Sequence, residues 1–204
     1  MDRRTQKTRQ LLQSALLALL REQSFEDIEI QAITDRADTA RVTFYRHYGT
    51  KEELLADVIE TVYLNMQAVI QAVSVERLMD FRQPPPNLIL FDFLERDRAL
   101  YKKLLTGSIS AFIQQRLRYY IVQQVMLTFS AAPKYADLPI GLIANHTASC
   151  LIGNIMWWLS EDVPYSGAYM ACITHWTAMI GVMTLIGRGD ELTMPPEGAW
   201  RVPG

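Results

Sequence analysis

Along most of the chain, apolar residues recur every three or four positions, and no segment keeps the strict alternation of a half-buried strand, so the pattern predicts an all-α protein. Over 5–22, Leu12, Ala15, Leu16, Leu19 and Leu20 share one stripe, with Arg3, Arg4 and Lys7 at the front end. Ile30, Ile33 and Ala37 give a second, shorter helix one apolar face, and Asp38-Thr39 supplies turn chemistry behind it. The segment 40–48 keeps Phe44 and Tyr48 four apart on an inner face and spreads Arg41, Thr43, Tyr45, Arg46 and His47 over the rest. Thr50 and Glu53 then have the spacing of a capping box, opening a helix with Leu54, Leu55, Val58, Ile59, Val62, Tyr63 and Met66 that is expected to run past residue 70. That helix is long enough to act as the lever between the first 50 residues and the rest.

Pro84-Pro85-Pro86 breaks the pattern, after which Asn87 is expected to cap a helix through Phe91 and Leu94. Short and long helices follow over 97–105 and 110–129, ended by Gly107 and Pro133. Leu138-Pro139 starts the next, which continues through Trp157-Trp158. Pro164 interrupts, Ser166 caps, and a last helix is expected from about 167 to 186, stopped by Gly187. The organisation predicted is a helix-turn-helix domain over 1–50, a helical regulatory and dimerisation domain over 51–188, and a flexible tail over 189–204 containing Pro195-Pro196 and Pro203-Gly204.

Residues 168–187 carry no charge over twenty positions, which meets the length rule for a membrane span. Thr174, His175, Thr177 and Thr184 are distributed around that helix, and Asn145, His146 and Asn154 interrupt the one before it. The expectation is therefore a helix buried between its own core and a second subunit, with no membrane partner. Small residues such as Ala144, Gly153, Ala171 and Gly181 would allow the close approach.

Composition changes this picture little, whereas charge placement changes it a good deal. Of 204 residues half are apolar, the net charge is -2 and the pI is near 5.9, which argues against a generally basic coat. Locally, residues 1–10 and 36–51 each hold four cations against one acid, so positive charge gathers at one end as a duplex-binding face requires. Cys150 and Cys172 have neither CxxC spacing nor clustered histidines and read as buried thiols in a reducing cytoplasm. No signal peptide, metal site or cofactor is expected. Without a phosphate-cradling glycine loop, paired ligand spacing or nucleophile motif, no reaction is assigned and the protein is not expected to be an enzyme.

The exposed set on 40–48 has groove-reading chemistry: arginine forks onto guanine edges or phosphates, hydroxyls donate to phosphate oxygens, and Val42 suits a thymine methyl. Ala37-Asp38-Thr39-Ala40-Arg41-Val42-Thr43-Phe44-Tyr45-Arg46-His47-Tyr48, followed by Lys51-Glu52-Glu53-Leu54, resembles the DNA-binding domain of tetracycline-repressor-like (TetR family) regulators. Their signature runs roughly Ala-Gly-Val-Ser-Arg-Gly-Thr-Phe-Tyr-Arg-His-Phe and then Lys-Glu-x-Leu, and the resemblance extends over about 8–59. This chain has Asp38 at the turn glycine, Ala40 at the capping serine and Glu29 where Ser or Thr opens the first of the two helices. Asp tolerates left-handed geometry, and Thr39 is expected to cap in place of serine.

The resemblance implies base-edge or adjacent contacts from Arg41, Val42 and Thr43, phosphate contacts from Tyr45, His47 and Lys51, and a contact from Gln31 in the preceding helix. Tyr45 also fits a half-buried core tyrosine, and His47, Arg36 and Arg46 fit plain solvated positions. The resemblance further implies a homodimer joined through the last two helices, a double-stranded pseudo-palindromic operator, and a small-molecule effector that controls a repressor. The alternative is a coactivator of the same fold that works mainly through a protein partner. A cavity in the helical domain would have candidate liners in Phe91, Tyr101, Phe112, Tyr119, His146 and Trp157; a filled core with an exposed apolar patch would favour the partner.

Overall fold

The stripe of the first helix finds its counterparts at once: Leu12, Ala15, Leu16, Leu19 and Leu20 are all buried against Ile33, Ala37, Phe44, Leu54, Leu55 and Val58 in one apolar cluster. This is the computed structural model of the chain, which describes residues 3–70, 73–161 and 163–199, the side chains of 68 and 69 excepted. The head comprises α1 (Arg3–Glu22), α2 (Ile30–Arg36) and α3 (Arg41–Tyr45), and α4 (Lys51–Ile70) leads out of it. The body continues with α5 (Val75–Met79), α6 (Leu88–Glu95), α7 (Arg98–Thr106), α8 (Ser110–Ser130), α9 (Ile140–Ser160) and α10 (Gly167–Leu185). Among the described residues there is no strand, only an isolated parallel bridge between Asp80 and Thr193, so the architecture is all-α.

The head's core runs on into the body through Phe91, Leu94, Leu104, Leu105 and Trp158, while a second cluster around Phe81, Phe129, Tyr135, Trp176 and Met183 fills the far end. The long helices α8 and α9 pack on one another, and α10 packs on α6 and α9. Polar clamps tie head to body: Lys103 donates to the carbonyls of Leu20 and Gln23 at the end of α1 (3.2 and 2.6 Å), and Arg21 pairs with Asp97 at 2.8 Å.

Local signals act largely as their chemistry dictates. Thr50 Oγ1 accepts from Glu53 N at 3.2 Å, and the Glu53 carboxylate reaches back to Gly49 N at 2.7 Å, closing the box at the start of α4. Ser166 Oγ accepts from Tyr169 N at 3.2 Å to cap α10, and Gly187, at φ 75, ends it. Two expectations are corrected. Asn87 stands at the start of α6 without capping it, because its side-chain amide donates instead to the Ala171 carbonyl on α10 at 3.1 Å. The helix expected to run past residue 70 is described to Ile70, with 71 and 72 outside the described residues; the short α5, which the pattern did not predict, follows, capped by Ser74 Oγ, which accepts from Arg77 N at 3.2 Å. The described part of the carboxy-terminal segment is held down where a flexible tail was expected: Thr193 N donates to Met79 O and Phe81 N to Thr193 O, each at 2.9 Å, and Glu191 pairs with Lys134 at 2.9 Å. Residues 200–204, with Pro203-Gly204, lie outside the described residues.

Among the described residues α10 is the one helix long and apolar enough to cross a membrane. Its inner side, with Met170, Ala171, Thr174, Ala178, Met179 and Met183, is buried in the body. The outer sides of α9 and α10 stay open, with Leu142 67% and Leu185 88% exposed.

Candidate nucleic-acid interface

The turn between α2 and α3 is built by backbone bonds. Asp38 takes φ 49; its N–H donates to Asp35 O at 3.2 Å and Thr39 N–H donates to Thr34 O at 3.0 Å, the paired bonds of a Schellman ending. Aspartate therefore holds the left-handed position of the turn glycine, as expected of its short polar side chain. The substitute cap does not form: α3 starts at Ala40 with no side-chain cap, and Thr39 Oγ1 is buried without a partner. Thr39 stands one position before the cap residue, and its hydroxyl meets no helix-end N–H.

α3 is shorter than 40–48. Its fully buried Phe44 anchors it, edge-on to Tyr45 at 5.6 Å and tilted to Tyr48 at 5.8 Å. On the other side Val42 is 60% and Tyr45 49% exposed, which settles Tyr45 as a surface residue of this chain. The Arg41 guanidinium lies over the Tyr45 ring at 5.8 Å and donates to its hydroxyl at 3.3 Å, so those two side chains stand together with Val42 beside them. Thr43 and His47 are half-buried, and Arg46 is exposed. Gln31 is exposed on α2, where its amide donates to Asp35 Oδ1 at 2.6 Å.

Lys51, expected at a phosphate, is engaged within the head of the DNA-free chain. Its ammonium donates to the carbonyls of Phe25, Glu26 and Ile28 at 2.8, 2.9 and 2.9 Å and sits 4.8 Å from the Phe25 ring centre. All three N–H groups are taken, leaving none for a phosphate; the side chain ties the loop after α1 to the start of α4. Arg9 and Arg36 are likewise engaged, with Asp57 and with Glu22 at 2.8 Å, so the positive face is thinner than the local charge count suggests.

Sequence reasoning missed the polar centre of the head. Asp57, on the inward side of α4, accepts from Arg9 and Gln13 of α1 and from the Tyr48 hydroxyl, and Gln13 also donates to Thr61 Oγ1 at 2.9 Å. Burial pushes the Asp57 carboxyl up, but the hydrogen bonds from Arg9, Tyr48 and Gln13 together outweigh it and hold the group below the usual carboxylate range. Burial, and then the bond to Asp57, push the Tyr48 hydroxyl well up. An acid falling between Leu55 and Val58 on an apolar stripe was the available signal.

Residues 12–58 match the model of bacterial regulatory proteins of the tetR family. The amino-terminal domain is where this chain resembles that family. Over 60 residues the chain is 47% identical to the HTH-type transcriptional regulator YxbF of Bacillus subtilis strain 168; the match takes in 29% of this chain and spans 16% of that relative's length. Solved structures share the fold over nearly the whole length. A TetR transcriptional regulator from Streptococcus agalactiae aligns with TM-score 0.62 at 21% identity over 87% of this chain and 96% of that one. A tetR-family transcriptional regulator from Streptomyces coelicolor aligns with 0.61 at 18% over 94% of each. The dihydroxyacetone kinase operon activator DhaS aligns with 0.62 at 15% over 87% and 97%.

Behind the head lies a cavity of about 480 Å³. Leu17 and Arg21 of α1 and Leu55 and Val58 of α4 form part of its wall, so the head is in direct contact with the space. Tyr63 of α4 stacks on Tyr120 of α8 at 4.3 Å, both in the lining. Of the liners expected, Tyr101 alone is one. Phe91 is core, Tyr119, His146 and Trp157 are exposed, and Phe112 is half-buried beneath Arg116 at 5.5 Å. His175, which the sequence reading used only as an argument against a membrane, is a liner: its Nε2 meets the Leu78 carbonyl at 2.8 Å, and burial lowers its pKa to about 4.

Proposed function

We propose that the protein is a cytoplasmic, homodimeric transcription regulator without enzymatic activity, a ligand-responsive repressor that binds a pseudo-palindromic operator. One observation carries the DNA-binding reading: Val42 and Tyr45 stand exposed on a helix whose opposite face is fully buried, an arrangement that offers apolar and aromatic surface to a groove. Arg41, Val42 and Thr43 read base edges or lie next to them, Tyr45 and His47 meet phosphates, and Gln31 adds a contact from α2. The open apolar sides of α9 and α10 join two copies, which places two such helices about 34 Å apart for half-sites one turn apart. An occupant of the cavity touches α1 and α4 together, and it releases DNA only by as much as it prefers the head positions that do not fit the operator. That same cavity weighs against the coactivator reading, which asks for a filled core.

The test is selection of bound fragments from genomic DNA by the purified full chain, with sedimentation of the free protein and of the complex. A two-half-site operator and a dimer are expected, and Arg41→Ala should weaken operator binding by roughly ten- to a hundredfold with relaxed preference at one base pair. A monomer, or unchanged affinity and base preference in the variant, would sink the assignment.

A further inference from the structure

Among the described residues five buried side-chain polar atoms have no partner: Thr39 Oγ1, Asn87 Oδ1, Arg98 Nε, Gln124 Oε1 and Trp176 Nε1. Two of them, Asn87 Oδ1 and Gln124 Oε1, belong to residues that line the cavity. In both cases the amide nitrogen is already used. Asn87 Nδ2 donates to the Ala171 carbonyl at 3.1 Å, and because a carbonyl only accepts, the orientation of that amide is set. Gln124 Nε2 donates to Thr128 Oγ1 at 3.3 Å; that hydroxyl can also donate, so of the two amides Asn87 is the one whose acceptor is fixed by its partner. Buried acceptors without donors are rare and call for an explanation.

The rest of the lining defines what can supply those donors. Among the described residues it is built mainly from Leu, Ile, Val and Met side chains and contains no carboxylate, so a cationic ligand would lose its hydration without gaining a counter-ion. Its one fixed cation among the described residues, Arg21, has its charge matched by Asp97 at 2.8 Å, and burial lowers the His175 pKa to about 4, so an anion finds no net positive charge there.

We infer that the cavity takes an uncharged, largely apolar molecule bearing hydrogen-bond donors, hydroxyl or amide N–H, that meet the carbonyl oxygens of Asn87 and Gln124. This rests on the ligand-responsive reading above and names the chemistry of its ligand. Such a molecule satisfies the two acceptors and leaves the apolar wall in contact with apolar surface.

The full chain is titrated by calorimetry with four probes of equal chain length: 1-decanol, its methyl ether 1-methoxydecane, decanoate and decylammonium. Decanol should bind roughly tenfold or more tighter than the ether, which has no O–H to donate, and neither ion should approach it. The single O–H of decanol donates to one acceptor at a time, so Gln124→Met, which keeps length and apolar bulk, and Asn87→Leu are made singly and together; the double variant should erase most of the alcohol's advantage while leaving ether binding unchanged. If Asn87→Leu does not fold, Asn87→Ser, whose hydroxyl is too short to stand where the amide oxygen does, takes its place. Equal binding of alcohol and ether, an advantage that survives in the double variant, or an ion binding tightest would overturn the inference and leave the cavity as a ligand site. No binding by any probe would overturn both the inference and the ligand-responsive reading, while DNA selection would still test the head.

Discussion

In the head, Asp57 is 7% exposed and is held by Arg9, Gln13 and Tyr48 at once; in the body, Asn87 and Gln124 keep a carbonyl oxygen buried beside a cavity with nothing donating to it. The two regions share one apolar core and differ in how completely they satisfy the polarity they bury. A saturated network has one good arrangement, which suits a surface that must present Arg41, Val42 and Tyr45 in fixed relation. An unsaturated cavity gains when something else completes it, which suits a sensor. The two meet where Leu55 and Val58, flanking Asp57 on α4, line the cavity.

The contrast breaks most visibly if Asp57 is removed. Asp57→Ala removes the acceptor that Arg9, Gln13 and the Tyr48 hydroxyl share and should cost about 3 kcal/mol, the loss of a charged hydrogen bond together with a stranded buried hydroxyl. Urea unfolding followed in the head, together with loss of DNA binding, measures it. A cost below about 1 kcal/mol would mean that the network is ornamental and the head is held by apolar packing alone.

Acid should act on the body first. The His175 pKa is about 4 in the folded chain, lowered from its ordinary 6.5 chiefly by burial. Between those two values the unfolded chain binds a proton that the folded chain refuses, so stability is complete above pH 6.5 and falls as pH drops toward 4. The loss is about 3 kcal/mol. Asp57, whose folded pKa is lowered, contributes stability that is present above the unfolded carboxylate value near 4 and is lost only at lower pH. Urea midpoints at pH 7 and pH 5 should therefore differ in the native chain and differ much less in His175→Gln. Equal slopes in the two proteins would place the acid sensitivity elsewhere.

Lys51 sharpens the comparison from the other side, since it is a saturated group at the edge of the DNA face. Lys51→Met should lose about 1 to 3 kcal/mol of stability, as three carbonyls of the 25–28 loop give up a charged donor. The salt dependence of operator binding should stay the same. A slope flatter by about one charge would restore the phosphate contact and make the loop bonds incidental.

These distinctions follow the line between what neighbouring residues determine and what distant ones do. The apolar stripes of α1 and α4, the box at Thr50 and Glu53, the cap at Ser166 and the left-handed Asp38 depend on residues within a turn or two, and each was legible in the sequence. Lys51 was legible as a cation at a helix start, but its three acceptors lie 23 to 26 residues earlier. The Asp57 centre joins residues 44 and 48 positions apart, and Asn87 is diverted by a carbonyl 84 positions away. The aromatic residues picked from the sequence were a poor guide to the cavity because Phe91 fills the core and Tyr119 and Trp157 face outward, while other rings, Tyr63, Phe93 and Tyr120, line it among the aliphatic side chains.

Thr39 is the exception in the head, and the smallest effect turns on it. It occupies the position where the family signature has valine, and its hydroxyl is buried with no partner, so the head here carries the unsatisfied polarity otherwise found in the body. Thr39→Val keeps the shape and removes the stranded group, and it should raise stability by about 0.5 to 1 kcal/mol. Ala40→Ser restores a cap at an extended N-cap residue, φ -74 and ψ 145, and should add about as much, near 1 kcal/mol. The sites are adjacent, but one acts through burial and the other through a helix-end amide, so thermal unfolding of the double variant should show the two gains adding. If Thr39→Val instead destabilises the head, the hydroxyl has a partner such as a held water, and the saturation of this region is complete after all.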